Sequence, residues 1–174
     1  MPITRLNHAV LFVSDVTRSV AFYRDVLGFA PIASMAELPG AAFLQAPGST
    51  NDHDLGLFEI GAAAGASQAG RSTVGLYHLA WEVDTLNELG RVRDALAAAG
   101  ALGGASDHGT TKSLYGRDPD GLEFEVAWII PAELLDDAAL AARARIGVLD
   151  LEKEKSRYGG DTLGGIGISS PARA

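Results

Sequence analysis

The chain of 174 residues contains no cysteine. Disulfide bonds, zinc–thiolate sites and thiol nucleophiles are therefore excluded, and any metal ligands must come from other side chains. Basic residues are also few, since 14 Lys and Arg stand against 22 Asp and Glu and give a net charge of -8. A chain with no basic run or stripe is a poor partner for nucleic acid or for an anionic membrane.

Long apolar runs are missing as well. Hydrophobic residues make up 47% of the chain, but no stretch approaches the length of a membrane-spanning helix. The opening residues MPITR lack the apolar core of a signal peptide. We therefore expect a soluble cytoplasmic protein with enough core for one compact domain or two small fused modules.

The sequence repeats itself weakly at a spacing of about 70 residues. The segment LNHAVLFVSD in the first half corresponds to LYHLAWEVD in the second, and the third residue of each is a histidine, His8 and His78. In each half an apolar strand, a capped helix and three strand-like pieces follow one another. The repeat predicts an α+β fold of two tandem βαβββ modules, which we expect to form a cupped mixed sheet around a metal cleft.

The domain boundaries follow from this pattern and from composition. A Gly/Ala-rich linker separates the modules, and an Ala/Leu-rich segment after Pro131 predicts a helix over 132–146. The Gly- and Ser-rich end of the chain, from Gly159 onward, is typical of disorder. The predicted parts are a first module over 4–60, a linker over 61–73, a second module over 74–130, and a C-terminal helix and tail over 131–174.

The two repeated histidines are the best candidates for metal ligands. A lone histidine on a strand is more often structural, but His8 and His78 occupy equivalent positions of the repeat. If the modules pair pseudo-symmetrically, both side chains approach one cleft, and strands hold side chains rigidly enough for a metal site. Glu125 is the best third donor, because Phe124 and Val126 form the apolar face of its strand and an ionised carboxylate there is costly unless it is paired or metal-bound. Two imidazoles and one carboxylate form the facial triad of non-haem Fe(II) oxygenases.

The repeat, the paired histidines and the segment DPDGLEFE resemble the vicinal oxygen chelate superfamily of glyoxalases, bleomycin resistance proteins and dioxygenases. Within it, residues 4–130 are most similar to type I extradiol ring-cleaving dioxygenases of the catechol 2,3-dioxygenase kind. The resemblance implies that His8, His78 and Glu125 bind Fe(II), with Mn(II) as the other metal that suits this ligand set. It also implies a small aromatic diol as substrate, O2 as co-substrate, a muconic semialdehyde-type product and a homo-oligomer.

Three further residues match catalytic positions of that family. His53 opens HDLGLF, which is similar to the segment carrying the family's acid–base histidine. Tyr115 lies ten residues before Glu125, as the substrate-binding tyrosine does, and His108 matches a histidine near the substrate. Without the resemblance, His53 and His108 would be ordinary loop residues and Tyr115 a packed strand aromatic.

Two other functions remain open. In glyoxalase I a fourth metal ligand comes from the last strand of the first module, where this chain has Glu59, and strict alternation from His53 would put both on one face. An isomerase has no role for His53 and Tyr115, so we expect Glu59 to face solvent at the strand end. A metal-free drug-sequestering protein of the same superfamily needs a cleft but no triad, and the intact triad argues against it.

Overall fold

A computed structural model describes residues 3, 5–33, 38–69 and 72–165 of the chain. The sequence pattern predicts a strand over Phe29 to Met35, and the end of that strand lies outside the described residues, as does the end of the tail, 166–174. The chain divides into two units. The first consists of Met1–Gln68 with Asp118–Leu122, and the second of Ala69–Arg117 with Glu123–Ala174.

Each unit contains a four-stranded mixed sheet with the same connectivity. In the first unit the elements are β1 (Ala9–Val13), α1 (Val16–Leu27), β2 (Ala30–Pro31), β3 (Ala41–Gln45) and β4 (Leu55–Glu59), and the strand order is β1-β4-β3-β2. In the second they are β5 (Leu79–Glu82), α2 (Leu86–Ala98), β6 (Leu102–Asp107), β7 (Thr111–Arg117) and β8 (Glu123–Ile129), in the order β5-β8-β7-β6. The first strand of each unit pairs in parallel with the last, and the other pairings are antiparallel. The predicted α+β fold with two tandem βαβββ modules is confirmed.

Local sequence explains where the two long helices begin and end. Asp15 caps α1 by accepting a hydrogen bond from the backbone N–H of Arg18, and Gly28 ends the helix with the left-handed conformation expected there (φ 79°). The sequence offers Asp84 as a cap for α2, but the cap is Thr85, whose side chain accepts a hydrogen bond from the backbone N–H of Glu88. The Asp84 carbonyl accepts a hydrogen bond from the backbone N–H of Gly164, in the C-terminal segment.

Alternation along the strands separates a helix-facing surface from an open surface. In β1, Leu11 and Val13 are buried, whereas Val10 and Phe12 are 52% and 73% exposed. In the second unit, a Cβ placed at Gly116 would touch both Phe124 and Leu96, so the side chain of Phe124 lies on the side covered by α2. His8 lies on the open surface of the first sheet and Glu125 on the open surface of the second, because strand side chains alternate between faces.

The C-terminal segment differs from the expectation. The single helix over 132–146 is wrong, because the backbone forms a 3-10 turn at Ala132–Leu134 and a short helix α3 at Asp137–Ala142, with Asp136 capping the new helix. A further helix, α4 (Leu151–Tyr158), follows. Two signals in the sequence mark its ends, an N-cap aspartate at 150 and a glycine at 159.

The Gly-rich tail is ordered as far as residue 165, although its composition is typical of disorder. Asn87 donates its backbone N–H to Gly160, and Gly165 donates to Ile129, both at 2.9 Å. A Cβ on Gly164 would lie 3.0 Å from the Trp128 ring and 3.1 Å from the Ile129 carbonyl oxygen. At Gly164, therefore, the glycine permits a close approach of the backbone to the sheet rather than freedom of movement.

A buried ion pair joins α4 to the second sheet. The Nζ atom of Lys112 on β7 lies 2.6 Å from an Asp107 carboxylate oxygen and 3.0 Å from one of Glu154. The side chains of Lys112 and Glu154 are 2% and 5% exposed, so both charges depend on each other for solvation. The C-terminal segment is therefore integral to the second unit. None of the helices among the described residues has the length and hydrophobicity needed to cross a membrane.

We predict that Lys112→Met destabilises the protein by about 3–5 kcal/mol, because Glu154 is left as a buried charge without its cation. Urea unfolding measures the change. Arg93→Met is the matched control, since Arg93 pairs with Asp94 on the exposed side of α2 and its loss should cost less than about 1 kcal/mol. Equal small losses for both variants would contradict the role assigned to Lys112.

Candidate metal centre

His78 and Glu125 lie side by side in the second unit. His78 directly precedes β5, which runs parallel to β8 in a register that pairs Ala80 with Glu125. Nε2 of His78 is 3.1 Å from Oε2 of Glu125. Their side chains are 26% and 14% exposed, so the pair is partly shielded from water yet accessible from the open surface of the sheet.

Tyr115 and His108 extend this cluster along β7. Tyr115 is the cross-strand partner of Glu125, and its hydroxyl lies 2.8 Å from Nε2 of His108. The His78 and Tyr115 rings are 6.0 Å apart between centroids. The structure therefore brings four of the predicted site residues into one neighbourhood: His78, His108, Tyr115 and Glu125.

Burial raises the pKa of Tyr115 above its ordinary value, and the nearby Glu125 and Tyr77 raise it further. Hydrogen bonds with Ser106 and Ser113 act in the opposite direction but do not cancel the rise. The phenol therefore stays protonated at neutral pH and acts as a hydrogen-bond donor. In the structure it can donate to His108, whose ring nitrogen then serves as the acceptor.

Ser113 is a member of this cluster that the sequence prediction missed. Its hydroxyl is fully buried and lies 2.5 Å from Oε1 of Glu125. One signal was available, because Ser113 lies two residues before Tyr115 and strand residues two apart share a face. A serine is too common in strands for that spacing alone to have identified it.

His8 and His53 form a second pair in the first unit, with ring centroids 4.4 Å apart. Nδ1 of His8 lies 2.8 Å from the side-chain oxygen of Asn7, and Nδ1 of His53 lies 3.0 Å from a carboxylate oxygen of Asp52. If each Nδ1 carries the proton that these contacts require, each Nε2 has a free lone pair. That tautomer suits a metal ligand or a base.

The loop that carries His53 is held by its neighbour, Asp54. The Asp54 carboxylate is buried and accepts hydrogen bonds from the backbone of Ala46 and from the side chains of Ser49 and Asn51. The edge of the Phe43 ring packs against His53, with 5.1 Å between centroids. His53 is therefore placed by a network of hydrogen bonds rather than by a regular strand.

Glu59 lies on the helix-facing surface of the first sheet, away from the histidines. β4 begins only at Leu55, and its register pairs Glu59 with Val13 on the helix-facing surface. The exposed Glu59 carboxylate accepts a hydrogen bond of 2.9 Å from the backbone N–H of Val16, the first residue of α1. The alternation counted from His53 is therefore wrong, because the loop before β4 breaks it, while the expectation of an exposed strand-end residue agrees with the structure.

The DPDG turn stabilises the first unit through hydrogen bonds and an ion pair. Asp120 accepts hydrogen bonds from the backbone and the hydroxyl of Ser14 and pairs with Arg18, while the Tyr23 hydroxyl donates to Asp118. Burial raises the pKa of Asp118 and, together with Asp118, that of Tyr23. Burial also acts to raise the pKa of Asp120, but the Ser14 hydrogen bonds and the Arg18 charge outweigh it and lower the pKa.

The fit of these side chains to a metal ion depends on their grouping and on their donor chemistry. Among the described residues, no three or more His, Asp or Glu side chains are grouped closely enough to hold one. The predicted donors occur instead as pairs within units, His8 with His53 and His78 with Glu125. Nδ1 of His78 is buried and has no hydrogen-bond partner within the described part of the chain. Imidazole and carboxylate groups are donors that Fe(II) and Mn(II) accept, so the donor chemistry fits such an ion.

We predict that Glu59→Gln lowers stability by about 0.3–1 kcal/mol, because a negative charge is lost at the N-terminus of α1. Its affinity for Mn(II), measured by calorimetric titration, should equal that of the unmodified protein. Glu125→Gln is the positive control and should lose most metal affinity. A large loss of affinity in the Glu59 variant would make Glu59 a ligand and favour the four-ligand chemistry of glyoxalase I.

Comparison with known proteins places these residues in a family. Residues 5–126 match the Glyoxalase/Bleomycin resistance protein/Dioxygenase superfamily. Metapyrocatechase 2 of Cupriavidus necator is 33% identical over 96 residues, which cover 55% of this chain and 26% of that protein. Catechol-2,3-dioxygenase of Bacillus subtilis (strain 168) is 32% identical over 123 residues, which cover 71% of this chain and 41% of that protein. The chain thus matches less than half the length of either relative.

The fold has solved counterparts with other names. Lactoylglutathione lyase from Agrobacterium tumefaciens is 24% identical, with a TM-score of 0.53 over 73% of this chain and 95% of that one. At this identity the likeness concerns the fold alone. The family match, however, covers most of the chain and includes His8, His78 and Glu125, so the chain belongs to the Glyoxalase/Bleomycin resistance protein/Dioxygenase superfamily.

Proposed function

We propose that this protein is an extradiol dioxygenase that cleaves a catechol-type ring with O2 at a mononuclear Fe(II) site, for which Mn(II) is the other suitable metal. The observation that carries the proposal is the cluster on the second sheet, where the His78–Glu125 pair adjoins the hydrogen-bonded Tyr115 and His108. Two relatives, named catechol-2,3-dioxygenase and metapyrocatechase 2, support the same reaction class.

The proposed ligands are His8, His78 and Glu125. His8 offers Nε2, because its Nδ1 lies against the Asn7 amide oxygen. Glu125 offers Oε2, because Ser113 occupies Oε1. When bound, Fe(II) would supply open coordination for a catecholate and O2 and would allow electron density to pass from the ring to oxygen.

Tyr115 and His108 would bind and orient the diol. The raised pKa of Tyr115 keeps its phenol protonated, so it can donate a hydrogen bond to an ionised catechol oxygen. Nε2 of His108 lies 2.8 Å from the same hydroxyl and accepts its hydrogen bond until a substrate oxygen takes that place. Tyr115 would thus bind the substrate, and His108 would orient the Tyr115 hydroxyl.

His53 would provide acid–base catalysis. Its Nδ1 faces the exposed carboxylate of Asp52, which favours the Nδ1–H tautomer and leaves Nε2 to accept a proton. A catechol must lose a hydroxyl proton before it can donate electrons, and ring opening needs a proton later. A histidine that accepts that one proton at Nε2 and returns it meets both needs.

The contact of Glu59 with Val16 favours the dioxygenase over a glyoxalase I-like lyase or isomerase. A carboxylate engaged at the start of α1 on the helix-facing surface is not offered to a metal on the opposite surface. A metal-free binding protein would gain nothing from a partly buried His78–Glu125 pair with an unsatisfied ring nitrogen. Both alternatives therefore explain fewer of the described contacts.

The test is anaerobic loading with Fe(II), followed by catechol, substituted catechols and O2. We expect a yellow ring-fission product and uptake of one O2 for each ring cleaved. His53→Ala should retain the metal and lose about 10²–10⁴-fold in turnover, the usual worth of a general acid–base group. Loss of the metal in that variant would instead make His53 a ligand or a structural residue.

Two outcomes would contradict the proposal. Absence of turnover across a broad panel of catechols, together with isomerisation of a methylglyoxal–thiol adduct, would establish the glyoxalase chemistry. Purified protein that contains no stoichiometric metal and gains none from Fe(II) would favour the binding protein.

A further inference from the structure

We infer that Ser113 is a positioning residue that holds the Glu125 carboxylate in the orientation needed to bind a metal ion. The inference rests on the proposed metal site, and it adds a residue that the sequence pattern did not identify. Ser113 would touch neither the metal nor the substrate ring, and it would act through Glu125.

The contact is short and comes from a rigid part of the fold. The Ser113 hydroxyl lies 2.5 Å from Oε1 of Glu125, and Ser113 is fully buried. β7 and β8 are joined by an unbroken antiparallel register from Thr111–Ile129 to Arg117–Glu123. Because the two backbones are fixed in this way, the hydroxyl restricts the rotation of the carboxylate about its side-chain bonds.

The two oxygens of Glu125 then have different partners. Oε1 accepts the hydrogen bond from Ser113, and an ionised carboxylate can only accept. Oε2 is the atom that faces Nε2 of His78, at 3.1 Å. The serine thus directs one defined oxygen toward the second proposed ligand, and outer partners of this kind typically change metal affinity 10–100-fold when removed.

Ser113 and Tyr115 lie two residues apart on the same face of β7. Turnover is therefore a poor measure of its role, because loss of the hydroxyl would alter both the carboxylate and the substrate-binding phenol. Affinity for Mn(II) in the absence of any substrate depends on the carboxylate alone. That affinity separates positioning of Glu125 from an effect on Tyr115.

The experiment is a calorimetric titration of the whole protein with Mn(II). Ser113→Ala should bind Mn(II) about 10–100-fold more weakly than the unmodified protein. Ser113→Thr, which keeps the hydroxyl, should bind close to the unmodified value. Ser19→Ala is the matched control, because Ser19 is fully buried in α1 and its hydroxyl has no partner among the described residues.

A second pair of variants guards against misfolding. Thr and Val have the same shape and differ by a hydroxyl, so Ser113→Thr and Ser113→Val impose the same packing on the sheet. If Ser113→Ala does not fold, the Thr variant should still bind Mn(II) about 10–100-fold more tightly than the Val variant. Circular dichroism of the metal-free proteins verifies that each variant compared is folded.

The outcomes distinguish this inference from the proposed reaction. Equal Mn(II) affinity in the unmodified protein and in Ser113→Ala, or in the Thr and Val variants, overturns the role of Ser113 and leaves the reaction standing. Weaker binding in Ser113→Ala by a protein that cleaves no catechol supports Ser113 and overturns the reaction. No Mn(II) binding by the unmodified protein overturns both.

Discussion

The partly buried Glu125 carboxylate determines how the side chains around it are arranged in the second unit. A charged side chain that is 14% exposed needs partners on every side that water does not reach, and Ser113 and His78 supply two of them. His78 contributes Nε2 to this contact, while its buried Nδ1 has no partner among the described residues. A metal ion bound by Nε2 and Oε2 would give the partly buried carboxylate a positively charged partner.

The opposite surface of the same sheet keeps this arrangement in place. Lys112 and Ser113 are neighbours on β7, and alternation sends one side chain toward α4 and the other toward Glu125. The buried Lys112–Glu154 pair fastens the C-terminal helix to the strand that positions the carboxylate. Lys112 also pairs with Asp107, the residue directly before His108. The same ion network therefore supports both His108 and the strand that carries Ser113.

The repeat predicted the fold, because hydrophobic periodicity and capping residues act locally and can be recognised in the sequence. The ligand set implied by the resemblance requires His78 and Glu125 to lie close together, and the parallel pairing of β5 with β8 brings them within 3.1 Å. The face of Glu59 could not be predicted, because it depends on a loop that interrupts alternation before β4. Glycine content alone could not predict the order of the tail, because Gly164 serves a close contact with Trp128 that exists only in the folded chain.

We propose that one divalent ion binds to His8, His78 and Glu125. Pulsed electron paramagnetic resonance of the Mn(II)-loaded protein counts imidazole nitrogens directly bonded to the metal. We expect coupling from two imidazoles, reduced to one in His8→Ala and unchanged in His53→Ala. Coupling from three imidazoles in the unmodified protein, or from a single one that His8→Ala does not alter, would contradict it.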